Sequence, residues 1–414
     1  MSFIRRGVTA PRFRTAMSGE KIYEGIFAVH KPQGISSAGV VRDLQAHFSK
    51  SNTFRSWIED EQERRKADQN WRRKRRQRFR PDIKIGHGGT LDPMATGVLI
   101  AGVGKGTKQL QSFLGCSKTY ETVVLFGAET DTYDRLGKVV RRGEYEHVTR
   151  GMVEEALRDK FRGKIMQRPP IFSAKRIEGK RLYEYAREGK EPPVEIKSVP
   201  VEVFDLRVLE WYEPGTHEYR WPEEEMVGEE RAVAERMLDK EAEIPVASAA
   251  EAEVVQAQPA VGKRKAASPV SEKTELDEVS KRVKTDAETT RPEESEISEV
   301  KKDTKPAEEA EATKETEPET TSTNKDMPVP GPAAVKITMT VSGGFYVRSL
   351  AHDLGKAVGS CGLMSSLIRT RQGDYKLEAD QVLAYSELEA GEEVWGPKVR
   401  RLLEEWQKKD GTAE

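Results

Sequence analysis

Gly86-His-Gly-Gly-Thr-Leu-Asp-Pro-Met-Ala-Thr-Gly-Val-Leu99 decides how this 414-residue chain is read. Asp92 stands in a glycine-rich stretch almost free of charge. Leu91 and Pro93 flank it, and apolar Val98-Leu-Ile-Ala101 follows. A carboxylate in such surroundings can be desolvated and positioned as a nucleophile or base. Glycines at 86, 88, 89 and 97 let another backbone approach closely, as a substrate strand would. The same pattern fits a turn aspartate capping Pro93-Met-Ala-Thr. The stretch by itself leaves both readings open.

Regular elements are expected on either side. Upstream, Gly25-Ile-Phe-Ala-Val-His30 reads as a strand that stops at Lys31-Pro-Gln-Gly34. Ser36 or Ser37 can cap a helix through Val40, Val41 and Leu44 to Phe48. Downstream, 118–127 is β-branched and aromatic and reads as a strand. Residues 149–161 space Met152, Val153, Ala156 and Leu157 as a helix does. Residues 180–188 read as a short helix, 199–211 and 335–341 as strands, and 352–358 as a helix.

Hydrophobic residues make up 36% of the chain and charged residues 34%, so part of it is expected to lack a core. The net charge of −1 hides a division: 222–330 holds 29 acidic and 16 basic residues, against totals of 70 and 69. The rest is therefore basic, as a polyanion-binding body would be; solubility charge reads equally well. No aromatic residue occurs from Pro222 to Gly344, and 222–334 is expected to be a disordered acidic insertion. Lys263-Arg-Lys265 and Lys281-Arg-Val-Lys284 within it fit a bipartite nuclear-import signal. The basic start, with Arg5, Arg6, Arg12 and Arg14 and no acid before Glu20, fits a mitochondrial transit peptide or a frayed terminus. Nucleus and mitochondrion are the compartments expected, with cytoplasm a third. Two cysteines offer neither a disulfide framework nor a zinc site. No apolar run approaches the roughly 18 residues of a membrane span.

Other segments carry chemistry less sharply. Residues 49–80 look inserted, and Trp71-Arg-Arg-Lys-Arg-Arg-Gln-Arg-Phe-Arg80 combines phosphate-neutralising and base-stacking side chains. An import signal or a solvated helix face would look the same. Gly102-Val-Gly-Lys-Gly-Thr107 fails the P-loop template, because Val103 stands where lysine is required. His87 has no partner at metal-ligand spacing. Asp131 and Asp134 read as turn chemistry before Gly137 or as paired glycosidase carboxylates. Arg348, in Ser342-Gly-Gly-Phe-Tyr-Val-Arg-Ser349, can orient a carboxylate or form a structural ion pair.

Together the segments resemble the TruB family of pseudouridine synthases. Four blocks stand in that family's order: Lys31-Pro-Gln-Gly-Ile-Ser-Ser37; Gly86 to Leu99; Gln167-Arg-Pro-Pro-Ile-Phe-Ser-Ala-Lys175 with Gly179-Lys-Arg-Leu-Tyr-Glu-Tyr-Ala186; and Gly343 to Gly355. The resemblance implies an α+β pseudouridine-synthase fold, a curved mixed or antiparallel sheet flanked by helices with a central RNA-binding cleft. It implies isomerisation of the T-loop uridine of tRNA, position 55, with no cofactor and no metal. Asp92 matches the essential aspartate, Tyr120 the tyrosine that stacks on the target base, and Arg348 the arginine that pairs with the aspartate. Tyr346 matches a pocket aromatic and His87 the filler of the gap left by the flipped base. Lys31, Gly88, Thr90 and Lys175, inside the matching blocks, are carried as substrate-binding candidates. Residues 164–198 match a mobile loop that closes over the T-arm.

The layout expected is a basic extension over 1–20, a catalytic domain in two parts over 21–221 and 335–400, the insertion 222–334 between them, and a tail over 401–414. Residues 375–414 are too few for the RNA-binding domain many relatives append, so a monomer working without guide RNA is expected. Its partners would be the tRNA T-arm and T-loop-like hairpins in messenger RNA. The competing expectation is a non-catalytic tRNA-binding or folding protein on the same scaffold.

Overall fold

The computed structural model describes residues 15, 19–67, 83–188, 192–194, 196–240 and 331–410, all within one compact unit of the chain. The basic run 71–80, both import-signal pairs and the four N-terminal arginines lie outside these residues.

A ten-stranded sheet organises the described chain. Its path runs β14 (Val382–Ala384), β1 (Gly25–Lys31), β3 (Thr96–Val103), β12 (Gly362–Gln372), β4 (Lys118–Phe126), β11 (Ala334–Val341), β10 (Val199–Tyr212) and β7 (Gly163–Gln167). Short β2 (Ile85–His87) pairs with β3, and β13 (Tyr375–Lys376) with β12. Pairing is antiparallel except at β1–β14 and β3–β12, so the sheet is mixed. Register shifts interrupt β4–β12 and β10–β11. Each extra residue increases local twist, which curves the sheet.

Alternation along β1 and β3 gives the sheet two buried faces at this end. Phe27, Val29, Leu99, Ala101 and Val103 face one core, which includes Val40, Leu44 and Phe48 of α1 (Ser37–Phe48). Ile26, Ala28, Val98 and Ile100 face the other. The Ser36 hydroxyl caps α1 by accepting from Gly39 N at 3.0 Å. At the other end, β4 and β11 bury Val124, Phe126, Ile337 and Met339 in one core with α4 (Arg150–Lys160) and the helix Val347–Ala357. Leu91, Met94 and Ala95 belong to this third core, whereas the strand they lead into belongs to the first two. The Asp92 turn is thus held between two hydrophobic bodies.

Five expected boundaries are corrected. Residues 49–67 are part of the fold: Phe54 and Trp57 are buried, and Phe48 and Phe54 stack with centroids 4.5 Å apart. Residues 222–240 are ordered, because Met226, Ala234 and Leu238 pack on Tyr133 and Val140. Backbone bonds join Glu224 and Met226 to Val139, and helix α6 (Gly228–Lys240) follows. The 401–414 tail is helical to Asp410 and buries Leu402 and Leu403. Residues 164–167 belong to strand β7, paired with 199–202 of β10, and the stretch after it carries the small hairpin of Arg176–Ile177 with Lys180–Arg181 and the helix Leu182–Arg187. The helix expected from His352 starts five residues earlier, at Val347, which puts Arg348 in its first turn.

Candidate active site

The turn carrying Asp92 is bound on nearly every carbonyl. Gln372 Nε2 donates to Gly88 O at 2.7 Å. Arg369 Nη2 and Nη1 reach Gly89 O and Thr90 O at 3.3 and 3.5 Å. Ser37 Oγ donates to Leu91 O at 2.9 Å and accepts from Leu91 N at 2.8 Å. Ala95 N closes the turn onto Asp92 O at 3.0 Å, and β3 begins at Thr96. No helix follows for Asp92 to cap. Its carboxylate is left for other work.

Lys31 completes the support. It is fully buried, and its Nζ donates to Pro32 O, Pro93 O and Ala95 O at 2.7, 3.2 and 2.6 Å. All three protons are engaged beneath the turn, so Lys31 is an anchor of the Asp92 loop and not a surface group offered to a substrate. Burial lowers its ammonium to about 8, with nearby Asp92 opposing the shift and Arg369 adding to it.

Arg348 gathers the other walls. Its Nε lies 2.8 Å from Asp92 Oδ2, and its Nη2 lies 3.3 Å from Oδ1. Nη2 also donates to Phe172 O at 2.9 Å, and Nη1 to Thr132 O at 3.1 Å. One guanidinium therefore ties together the Asp92 turn, the 130–137 turn and the start of the 168–198 segment. The Asp92 side chain stays 31% exposed while that of Arg348 is 9% exposed, so the carboxylate is oriented yet reachable. Asp134 approaches the same cation, Oδ2 standing 3.8 Å from Nε. Burial raises the Asp134 carboxyl, and Arg348 opposes that shift. Asp131 and Asp134 otherwise bind turn amides, Lys138 N at 2.9 Å and Leu136 N at 3.0 Å, as turn chemistry requires.

Tyr120 is buried on β4, where its register partners are Met339 on one side and Arg369 on the other. Tyr346 precedes the Arg348 helix, and its backbone exchanges two hydrogen bonds with buried Gln167, at 2.7 and 2.8 Å. Burial raises its phenol. His87 is half-buried at the end of β2; burial, then Arg369, lowers its imidazole. Its Nδ1 is buried with no hydrogen-bond partner. Gly88 is buried and Thr90 exposed. Lys175 follows Phe172 by three residues and donates to Lys197 O at 3.1 Å.

One sequence-based reading changes here. At Gly97 the approaching backbone belongs to the protein itself: a Cβ there would lie against the Arg369 carbonyl and 2.7 Å from its nitrogen. Gly97 also has φ +110°, which disfavours any side chain. A Cβ on Gly88 would meet Phe113 at 2.8 Å. The residues missed are Asp134 as a second partner of Arg348, and Arg369 and Gln372 as supports of the turn. Arg369 and Gln372 signalled themselves only as polar residues of a strand, and Asp134 only as a turn aspartate. No group of three or more metal-ligating side chains occurs among the described residues.

Comparison with known proteins agrees with this geometry. The profile of the TruB family pseudouridylate synthase N-terminal domain matches residues 74–222. tRNA pseudouridine synthase 4 of Schizosaccharomyces pombe is 37% identical over 383 residues, covering 88% of this chain and 83% of that one. The protein of the same name from Saccharomyces cerevisiae is 31% identical, covering 92% and 85%. Pseudouridylate synthase TRUB1 of Mus musculus is 37% identical over 50% of this chain and 56% of its own. With a matching profile across the Asp92 turn and relatives alike over most of their length, the chain belongs to the TruB family of pseudouridine synthases.

Proposed function

We infer that this protein is an isomerase that converts a uridine of tRNA to pseudouridine, and that its target is uridine 55 of the T-loop. The observation that carries the reading is the Asp92 carboxylate, gripped by Arg348 through both oxygens and still partly open. The two tRNA pseudouridine synthase 4 relatives, alike over most of the chain, support tRNA as the substrate.

The reaction rearranges one nucleotide. The N1–C1′ bond breaks, the base turns, C5 bonds to C1′, C5 gives up its proton and N1 gains one. Atoms and electrons balance without an oxidant or a second substrate. A stacked base cannot turn, so it must leave the helix. Extrusion costs a few kcal/mol, which stacking on the rim of Tyr120, at about 1–3 kcal/mol per base, can offset. His87, whose imidazole is pushed down by burial, is the candidate to fill the gap left behind. Asp92 acts at the sugar or base of the flipped nucleotide while Arg348 fixes its orientation. Tyr120 is the candidate for handling the C5 proton, and Tyr346 lines the pocket.

The T-arm is the binding partner in this reading, T-loop-like messenger hairpins are further substrates, and the enzyme acts as a monomer without guide RNA. Nucleus and mitochondrion are its compartments. A T-arm hairpin tritiated at uridine C5 tests the activity, since each turnover releases one tritium to water. Release from the position-55 uridine is expected; none would overturn the reading. Pseudouridine maps of total RNA with and without the protein define the substrate range. Deletion of residues 1–19 should reduce the mitochondrial share.

A further inference from the structure

Arg369 is 1% exposed, in the middle of β12. Its backbone is paired on one side with Gly97, five residues after Asp92, and on the other with Tyr120. Its side chain turns back under the Asp92 turn, where Nε donates to Val98 O at 2.7 Å and the two Nη atoms reach Gly89 O and Thr90 O at 3.3 and 3.5 Å. Among the described residues it forms no ion pair with a carboxylate. A buried cation held only by carbonyls is costly, since hydrogen bonds must do all the work of lost solvation. A neutral side chain could fill the volume at lower cost. The planar fork can engage β3 and the turn at once, which a point charge cannot.

We propose that Arg369 is a positioning residue for the isomerisation, setting the Asp92 turn against the Tyr120 strand from inside the sheet. The anchor on Val98 is short and fixed, whereas the two bonds to the turn are long. Long bonds in an RNA-free site leave room to tighten when the substrate seats, as catalytic hydrogen bonds commonly do. Buried as it is, Arg369 cannot touch RNA. Its removal should therefore change the chemical step and leave binding alone.

This inference rests on the isomerase reading, and wild-type turnover of the C5-tritiated T-arm hairpin is the reference that separates the two. No wild-type turnover strikes the function, whereas normal turnover by the variants strikes only Arg369's role. Arg369→Lys and Arg369→Met are compared for hairpin Kd, single-turnover rate and thermal midpoint. The Lys variant should fold, bind within about twofold of wild type and react at least about tenfold more slowly; the Met variant should react more slowly still. If Arg369→Met does not fold, Arg369→Lys decides. A wild-type rate in Arg369→Lys overturns the proposal. So does a rate loss matched by an equal loss of affinity, or one that only tracks the folded fraction, because either marks a general structural role.

Discussion

Arg348 meets Asp92 side-on, with Nε 2.8 Å from Oδ2 and Nη2 3.3 Å from Oδ1, so the carboxylate cannot turn without breaking both contacts. Replacing Arg348 by Met would also leave Asp134 beside Asp92 without the shared cation. Arg348→Met should lower the single-turnover rate at least about 100-fold, about 2.7 kcal/mol, with a smaller effect on hairpin affinity. Arg348→Lys should recover little, because an ammonium cannot make the paired contact. Equal rates for Arg348→Met and wild type would remove Arg348 from the site.

Asp134 offers a milder test. Asn in its place keeps an acceptor for Thr132 Oγ1 and Leu136 N, now bonded to Oδ1 at 2.8 and 3.0 Å. It loses the negative charge 3.8 Å from Arg348. Asp134→Asn should fold normally and react about tenfold more slowly. An unchanged rate would reduce Asp134 to its turn role.

Lys31 predicts a pH dependence of definite sign. Burial lowers its ammonium from 10.5 to about 8. The folded chain therefore releases this proton near pH 8, while the unfolded chain holds it to about 10.5. Between those values the unfolded state binds more protons, so this group makes stability rise with pH. The neutral amine has two N–H bonds for three carbonyls, and the Asp92 turn loses a tether. The catalytic rate should fall on an alkaline limb near pH 8 without a matching loss of thermal stability. The limb should be missing from the slower Lys31→Met variant. A flat profile from pH about 7 to about 9 would contradict the tether.

The start of the acidic insertion can be tested by stability. Leu238 is 3% exposed against Tyr133 and Val140. Leu238→Ala should cost about 2–5 kcal/mol and lower the unfolding midpoint. A change below about 0.5 kcal/mol, as a surface substitution gives, would mean that α6 does not pack there.

These tests also mark what could be read in advance. Helix α1 was legible because Ser36 and the spacing of Val40, Leu44 and Phe48 all agree. Strands β1, β4, β10 and β11 were legible from their apolar content. α6 was not: Ala234 and Leu238 are sparse in a charged stretch, and their burial depends on a partner, Val140, about a hundred residues away. The last helical turns were missed in the same way, since Leu402, Leu403 and Trp406 gain meaning only against β1. At the site, Asp92 and Arg348 were visible through the family blocks, and the structure joins these two; Tyr120 was carried by the resemblance alone, and the structure places it on β4 beside Arg369. The supports were hidden because Arg369 and Gln372 look like exposed strand residues until Gly97 shows which backbone lies beside it. Lys31 was visible, but its direction was not: a lysine at a strand end reads as a surface charge, and only the fold turns it beneath the turn.

Asp92 carries the central claim, and its isosteric amide is the most direct measurement. Asp92→Asn keeps the turn, whose carbonyl bonds do not involve the carboxylate. It should bind the T-arm hairpin at near wild-type affinity and release no tritium from C5. Tritium release by Asp92→Asn at the wild-type rate would contradict the assignment.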